Sequence, residues 1–91
     1  MSGKGAARIG DSGSHGGTLV TGSPTTFVDG IACVRVGDTY ACPPPLAGHG
    51  PNPVSGGSST VFVDGKAVAR CGDPCSCGAS ISSCSNDVFA N

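Results

Sequence analysis

Nitrogen and sulfur donors recur at a single offset in this sequence. The tetrapeptide Arg-x-Gly-Asp occurs three times, as Arg8-Ile-Gly-Asp11, Arg35-Val-Gly-Asp38 and Arg70-Cys-Gly-Asp73. The residue four positions after each aspartate is His15, Cys42 or Cys77. A Gly-Ser pair or its equivalent follows the aspartate by eleven residues in the first and third copies (Gly22-Ser23 and Cys84-Ser85), but by nineteen in the second (Gly57-Ser58). The eight extra residues bring His49, inside Cys42-Pro-Pro-Pro-Leu-Ala-Gly-His49. Imidazole nitrogen and thiolate sulfur are the usual donors to Zn2+, four to a closed structural site. His15, Cys42, His49 and Cys77 therefore form a candidate zinc set with no position left for water. The Cys-x6-His spacing matches no standard finger, so repeat equivalence carries the expectation.

No catalytic constellation accompanies these residues. Neither histidine stands beside a Ser or Cys nucleophile with an orienting acid at a known spacing. The three Arg-x-Gly-Asp motifs read as ion pairs holding a glycine turn, because they recur with the repeat. Their glycines are not a phosphate loop, since no helix N-terminus follows them.

The elements that must position the ligands are short. No window keeps the helical spacing of apolar residues, and Gly or Pro interrupts nearly every stretch of ten. Phe-Val-Asp-Gly occurs twice, at 27–30 and 62–65, each time ahead of a second apolar-rich segment. Asp-Gly between two such runs predicts a type I′ hairpin. The hairpins are expected over 26–35 and 60–70, with Arg-x-Gly-Asp closing each second strand and a ligand loop following. The third copy stops at Val88-Phe89-Ala90-Asn91, while Gly3-Lys4-Gly5-Ala6-Ala7-Arg8 matches Gly65-Lys66-Ala67-Val68-Ala69-Arg70. The repeat is thus circularly permuted. One domain over 1–91 is expected, with copies at about 3–30, 31–65 and 66–91, the last closed by the N-terminal strand. Closing the ring removes exposed sheet edges. Phe27, Phe62 and Phe89 fall at equivalent positions and are expected to converge as core.

Ninety-one residues with three Phe, one Tyr and no Trp build a marginal core, and 16 Gly and 7 Pro weaken it further. A structural zinc would supply what the core lacks. The net charge of −1 leaves no basic patch for nucleic acid. No apolar run is long enough for a membrane span or a signal-peptide core, so export by the general secretory route is not expected. In that context the six cysteines read as metal ligands and reduced thiols ahead of a disulfide framework. Cys33, Cys71, Cys75 and Cys84 are taken as small buried hydrophobes, with a ligand swap or a local disulfide among the clustered Cys71, Cys75 and Cys77 the weaker alternative.

Segments 8–17, 22–30, 35–43, His49-Gly50 and 57–66 together resemble the PAAR-repeat proteins, the tips of type VI secretion spikes. The resemblance spans the whole chain. It implies an all-β fold, a small cone of short β-hairpins with pseudo-threefold symmetry and a zinc near the vertex. It also implies a non-enzymatic cap seated, one per trimer, on a trimeric valine-glycine-repeat spike protein. The cap would await firing in the bacterial cytoplasm, then leave the cell on the spike and touch the target membrane transiently. Any effector proteins would be separate partners, because no further domain flanks the repeats. Two departures stand out. The Pro-Ala-Ala-Arg signature reads Gly-Ala-Ala-Arg8, Ala-Cys-Val-Arg35 and Ala-Val-Ala-Arg70. Family sites often use three His and one Cys, whereas this chain has two His in all, so its set must be two of each. A phage-tail tip, a free zinc or redox module and a secreted disulfide miniprotein are the competing readings.

Overall fold

The computed structural model describes residues 4–14, 16–41 and 51–90. Nine short strands and no helix occur among them. These are β1 (Lys4–Gly5), β2 (Thr18–Leu19), β3 (Phe27–Val28), β4 (Ile31–Ala32), β5 (Thr39–Ala41), β6 (Pro51–Pro53), β7 (Phe62–Val63), β8 (Lys66–Ala67) and β9 (Phe89–Ala90). Every pairing is antiparallel: β3 with β4, β7 with β8, β1 with β9, and a three-stranded sheet in the order β2-β5-β6.

Turn chemistry sets the two hairpins. Asp29 and Gly30 have φ of 55° and 78°, and Asp64 and Gly65 have 54° and 78°. A type I′ turn needs both central residues at positive φ, and Asp-Gly tolerates this better than most pairs. Each Arg-x-Gly-Asp motif is a second tight turn. Asp11, Asp38 and Asp73 donate their N–H to the carbonyls of Arg8, Arg35 and Arg70, with Gly10, Gly37 and Gly72 at φ near +90°.

The strands stay short because each second strand leaves its hairpin partner and joins the neighbouring copy. Isolated bridges link Arg8 with Cys33, Arg35 with Val68, and Ala6 with Arg70. At the centre the three copies hydrogen-bond in a closed cycle. Ala7 N–H donates to Ala69 O (2.9 Å), Ala69 N–H to Val34 O (2.9 Å), and Val34 N–H to Ala7 O (3.0 Å). All three residues are fully buried. Leu19, Val54 and Ile81 pack round them, with Tyr40 as the largest core side chain. A second cluster of Ala6, Val28, Cys33, Val68 and Ala90 lies beneath the hairpins.

Phe27, Phe62 and Phe89 do not join either cluster. They are 59%, 58% and 51% exposed. Successive strand residues point to opposite faces, and in each pair the inward position belongs to Val28, Val63 or Ala90. Near the centre the three copies meet at Ala7, Val34 and Ala69, and small side chains there allow the close approach of backbones.

The cysteines also depart from expectation. Cys33 and Cys75 are buried, as small hydrophobes should be. Cys71 and Cys84 instead form a disulfide, with their Cα atoms 5.7 Å apart. The residues lie thirteen apart in sequence, and the fold brings them face to face beside Gly5.

Candidate functional site

Two regions of the molecule carry groups that could act on something else: the loops that host the expected ligands, and the apolar face formed by the hairpins. His15, Cys42 and His49 lie outside the described residues. Cys77 is half-buried against the first core cluster. Among the described residues no three His, Cys, Asp or Glu side chains gather round one point.

The supports of the ligand positions are described, and they are joined. Cys77 sits in a loop closed by Cys75 N–H on Ala79 O (2.7 Å) and Gly78 N–H on Cys75 O (2.9 Å). The same pair of bonds, Gly13 N–H on Gly17 O (3.0 Å) and Gly16 N–H on Gly13 O (2.9 Å), closes the loop around position 15. Ser14 N–H donates to Ser80 O at 2.8 Å, which ties these two loops together. Strand β5, which leads into Cys42, pairs with β2 after the first loop and with β6 after His49.

Two side chains finish the connection. The buried Tyr40 hydroxyl accepts the Gly17 N–H at 2.9 Å. Asn52 Oδ1 accepts the Cys77 N–H at 3.1 Å, and Asn52 Nδ2 donates to Tyr40 O at 3.3 Å. Sequence reasoning missed both residues because they lie outside the repeated motifs. Their only prior sign was a lone Tyr and an Asn between two prolines in a core-poor chain. The donor set of two thiols and two imidazoles suits tetrahedral zinc, and Cys77, a half-buried thiol whose backbone is held by Asn52, is a fitting member of it.

The hairpin face is apolar outside and polar within. Phe27 and Phe89, with Val61, Val63, Val68 and Val88, line a hollow of about 180 Å3, while Phe62 holds the matching place on the second hairpin. Beneath this rim the hairpins are clasped to their neighbours. Arg8 grips Asp11 through Nε (3.0 Å) and Nη2 (2.9 Å), and its Nη1 reaches Asp29 Oδ2 at 3.0 Å. Arg35 repeats the arrangement with Asp38 (2.8 and 2.9 Å) and Asp64 (3.0 Å). Arg70 grips Asp73 (2.9 and 2.8 Å) and the Gly57 carbonyl (3.2 Å). Bidentate pairs of this kind are the strong ones.

The turn aspartates have a further partner. Ser85 Oγ donates to Asp29 (2.7 Å) and Ser23 Oγ to Asp64 (2.5 Å), while each serine accepts two backbone N–H groups of its own turn. The recurrent Gly-Ser pair was the visible signal of this cap, and Asp-Gly signalled only a turn.

Charges respond accordingly. Burial pushes against ionisation of Asp38, but the side-chain and backbone hydrogen bonds from Arg35 outweigh it and hold the carboxyl below its usual range. Asp64 is lowered by the hydroxyls of Ser23 and Thr25, assisted by Arg35. The guanidinium groups of Arg8, Arg35 and Arg70 are each raised by the hydrogen bond to the following aspartate. These pairs stabilise the fold; they present no unsatisfied carboxylate for acid–base work.

No curated protein matches the chain. A sequence model described as the PAAR motif matches residues 9–83, from the first Arg-x-Gly-Asp turn to the serine before Cys84. That span takes in the three loops with the candidate ligands and both Asp-Gly hairpins, so the chain belongs to the PAAR-motif family.

Proposed function

We propose that this chain is the non-enzymatic tip of a contractile spike, and specifically the cap of a type VI secretion apparatus. Its hairpin face would sit on the blunt end of a trimeric valine-glycine-repeat protein, one tip per trimer. The observation that carries the reading is the closed cycle of three copies, each turning an apolar strand pair to the same exposed rim. A near-threefold base lets one chain meet three identical subunits without breaking the partner's symmetry. Partly exposed Phe side chains round an apolar hollow are the groups that gain most from being covered. Burying a Phe contributes about 1.5–3 kcal/mol.

In the repeat loops, His15, Cys42, His49 and Cys77 would hold Zn2+. Bound there, the metal would cross-link the loops and would supply no reaction. The Tyr40–Asn52 network would keep the three ligand loops in register, so the apex resists deformation when the spike meets a membrane. The tip would assemble in the bacterial cytoplasm and leave the cell with the spike, alongside separate effector proteins.

The test is native mass measurement of the purified chain mixed with the trimeric spike protein of the same cell. One tip to three spike subunits is expected, and Phe27→Ser with Phe62→Ser should abolish the complex while the tip stays folded. A three-to-three complex, or no complex, rejects the cap.

A further inference from the structure

Three strand pairs make the base, and they are not closed alike. In β3–β4 and β7–β8 an Asp-Gly turn joins the strands, and its aspartate clasps an arginine of the next copy. In β1–β9 the two strands come from opposite ends of the described chain, paired through Lys4 with Ala90 and Gly5 with Phe89. Arg70, the arginine of this seam, meets Asp73 and a carbonyl but no second carboxylate among the described residues. Among the described residues this seam has no Asp-Gly turn joining its strands and no second carboxylate on its arginine.

Three positions at this same seam differ in concert from their equivalents. A Cβ added at Gly22 would lie 3.2 Å from Ile9 Cγ1 and 3.2 Å from Ala32 Cβ. One added at Gly57 would lie 2.8 Å from Val36 Cγ2 and 3.2 Å from Ala67 Cβ. Each of these two seams has room for one branched side chain and one alanine facing a glycine. The third seam redistributes the volume. Gly5 replaces the alanine, Cys84 replaces the glycine, and Cys71 replaces the branched residue. A Cβ on Gly5 would meet Cys84 Sγ at 2.6 Å and Cys84 Cβ at 3.2 Å, so the disulfide lies directly over the β1 backbone. Cys71 N–H also donates to Gly5 O at 3.0 Å.

We propose that the Cys71–Cys84 disulfide is a redox-controlled clasp that stands in for the Asp-Gly turn missing from the third seam. Closed, it traps β1 against the third copy. Opened, the β1–β9 pair keeps only its backbone hydrogen bonds and frays. Both sulfurs belong to half-buried residues, within reach of small molecules, whereas Cys33 is buried and burial pushes its thiol up. Closure proceeds by exchange with a low-molecular-weight disulfide such as oxidised glutathione. One protein thiolate attacks it and releases one small thiol. The second protein thiolate then attacks the mixed disulfide and releases another. Two protein thiols and one small disulfide become one protein disulfide and two small thiols, the two protons moving from the protein sulfurs to the released small thiolates. A reducing phosphine opens the clasp.

The experiment is amide hydrogen exchange on the full metal-loaded chain, before and after reduction by a phosphine. The Ala6, Cys71 and Ser85 amides should exchange at least about tenfold faster once reduced. The equivalent Cys33, Val36 and Ser58 amides should be unchanged. A triple variant, Gly5→Ala with Cys71→Val and Cys84→Gly, recreates the second seam and should be slow and indifferent to reductant. Equal acceleration at all three seams, no acceleration anywhere, or six titratable thiols in denatured protein after treatment with oxidised glutathione would overturn the clasp. Spike binding is not part of the readout, so the outcome is independent of the proposed cap.

Discussion

The base and the ligand loops are built from the same repeat, yet they have diverged to different degrees. In the base, corresponding residues make corresponding bonds: Ile9, Val36 and Cys71 each donate to the strand of the next copy, and Ser23, Ser58 and Ser85 each cap a turn. In the loops, length and chemistry change from copy to copy, and single side chains such as Tyr40 and Asn52 join unlike partners. A base residue serves its own copy and its neighbour at once, so a change must suit two environments. A loop residue serves one ligand position. Constraint by neighbours keeps the repeat, and freedom from them lets His, Cys and an eight-residue insertion enter.

The comparison can be broken most severely at the loops. Cys77→Ala should abolish zinc binding and lower stability more than any base substitution, because structural zinc can contribute on the order of 10 kcal/mol. Elemental analysis and thermal unfolding with and without chelator measure this. A chain that holds a full equivalent of zinc without Cys77 would show that Cys77 is not a ligand.

Next in size are the base arginines. Arg35→Met leaves the buried Asp38 carboxylate uncompensated and should cost about 3–5 kcal/mol in denaturant unfolding. Arg8→Met should cost less, since its side chain is 19% exposed against 10% for Arg35. The pH response sharpens the point. The carboxyl of Asp38 is depressed in the folded state, so its stabilisation is present above the ordinary carboxylate pKa near 4 and is lost as pH falls through the folded value. Arg35→Met should flatten that acid limb.

Glycines separate crowding from strain at an intermediate size. Alanine at Gly17 would run into the Ala41 backbone carbonyl and should cost about 1–3 kcal/mol. Alanine at Gly37 meets nothing but must adopt a φ of +95°, and about 1–2 kcal/mol is expected from conformation alone. Denaturant midpoints decide whether both costs are real.

The smallest effect is also the most diagnostic. Phe27→Ser should change the stability of the isolated chain by no more than about 0.5 kcal/mol, because the ring is already mostly in water. Loss of spike binding with unchanged unfolding would mark the rim as a contact surface, and a large stability loss would return it to the core.

Much of the base was readable in advance. Asp-Gly announced both hairpins, and the match of residues 3–8 to 65–70 pointed to where the first strand finds its partner. Arg-x-Gly-Asp announced an ion pair in every copy. What sequence could not convey was direction. Phe27, Phe62 and Phe89 are apolar and equivalent, so they read as core. A two-residue strand has too few residues for alternation to reveal which face looks outward. The Cys71–Cys84 pair escaped because neither cysteine shares an offset with the other. Their proximity follows from Gly5 receding, which is a fact of packing. At the candidate site, spacing proposed the donors, while Tyr40 and Asn52 became visible only once β5 and β6 were seen side by side.

The closed cycle of Ala7, Val34 and Ala69 has a consequence for how the chain must fold. In an open solenoid each repeat can dock on its predecessor, so folding spreads from any starting point. Here the bond from Ala7 to Ala69 spans most of the sequence, and no pair of copies is complete until the third arrives. The rate-limiting event must therefore bring distant segments together before most native contacts reward it, which is the condition for slow folding. On the ribosome, the first strand would have to wait unpaired until β9 had emerged. Refolding kinetics should show one slow cooperative phase shared by probes on all three copies, with no early fragment that survives proteolysis alone.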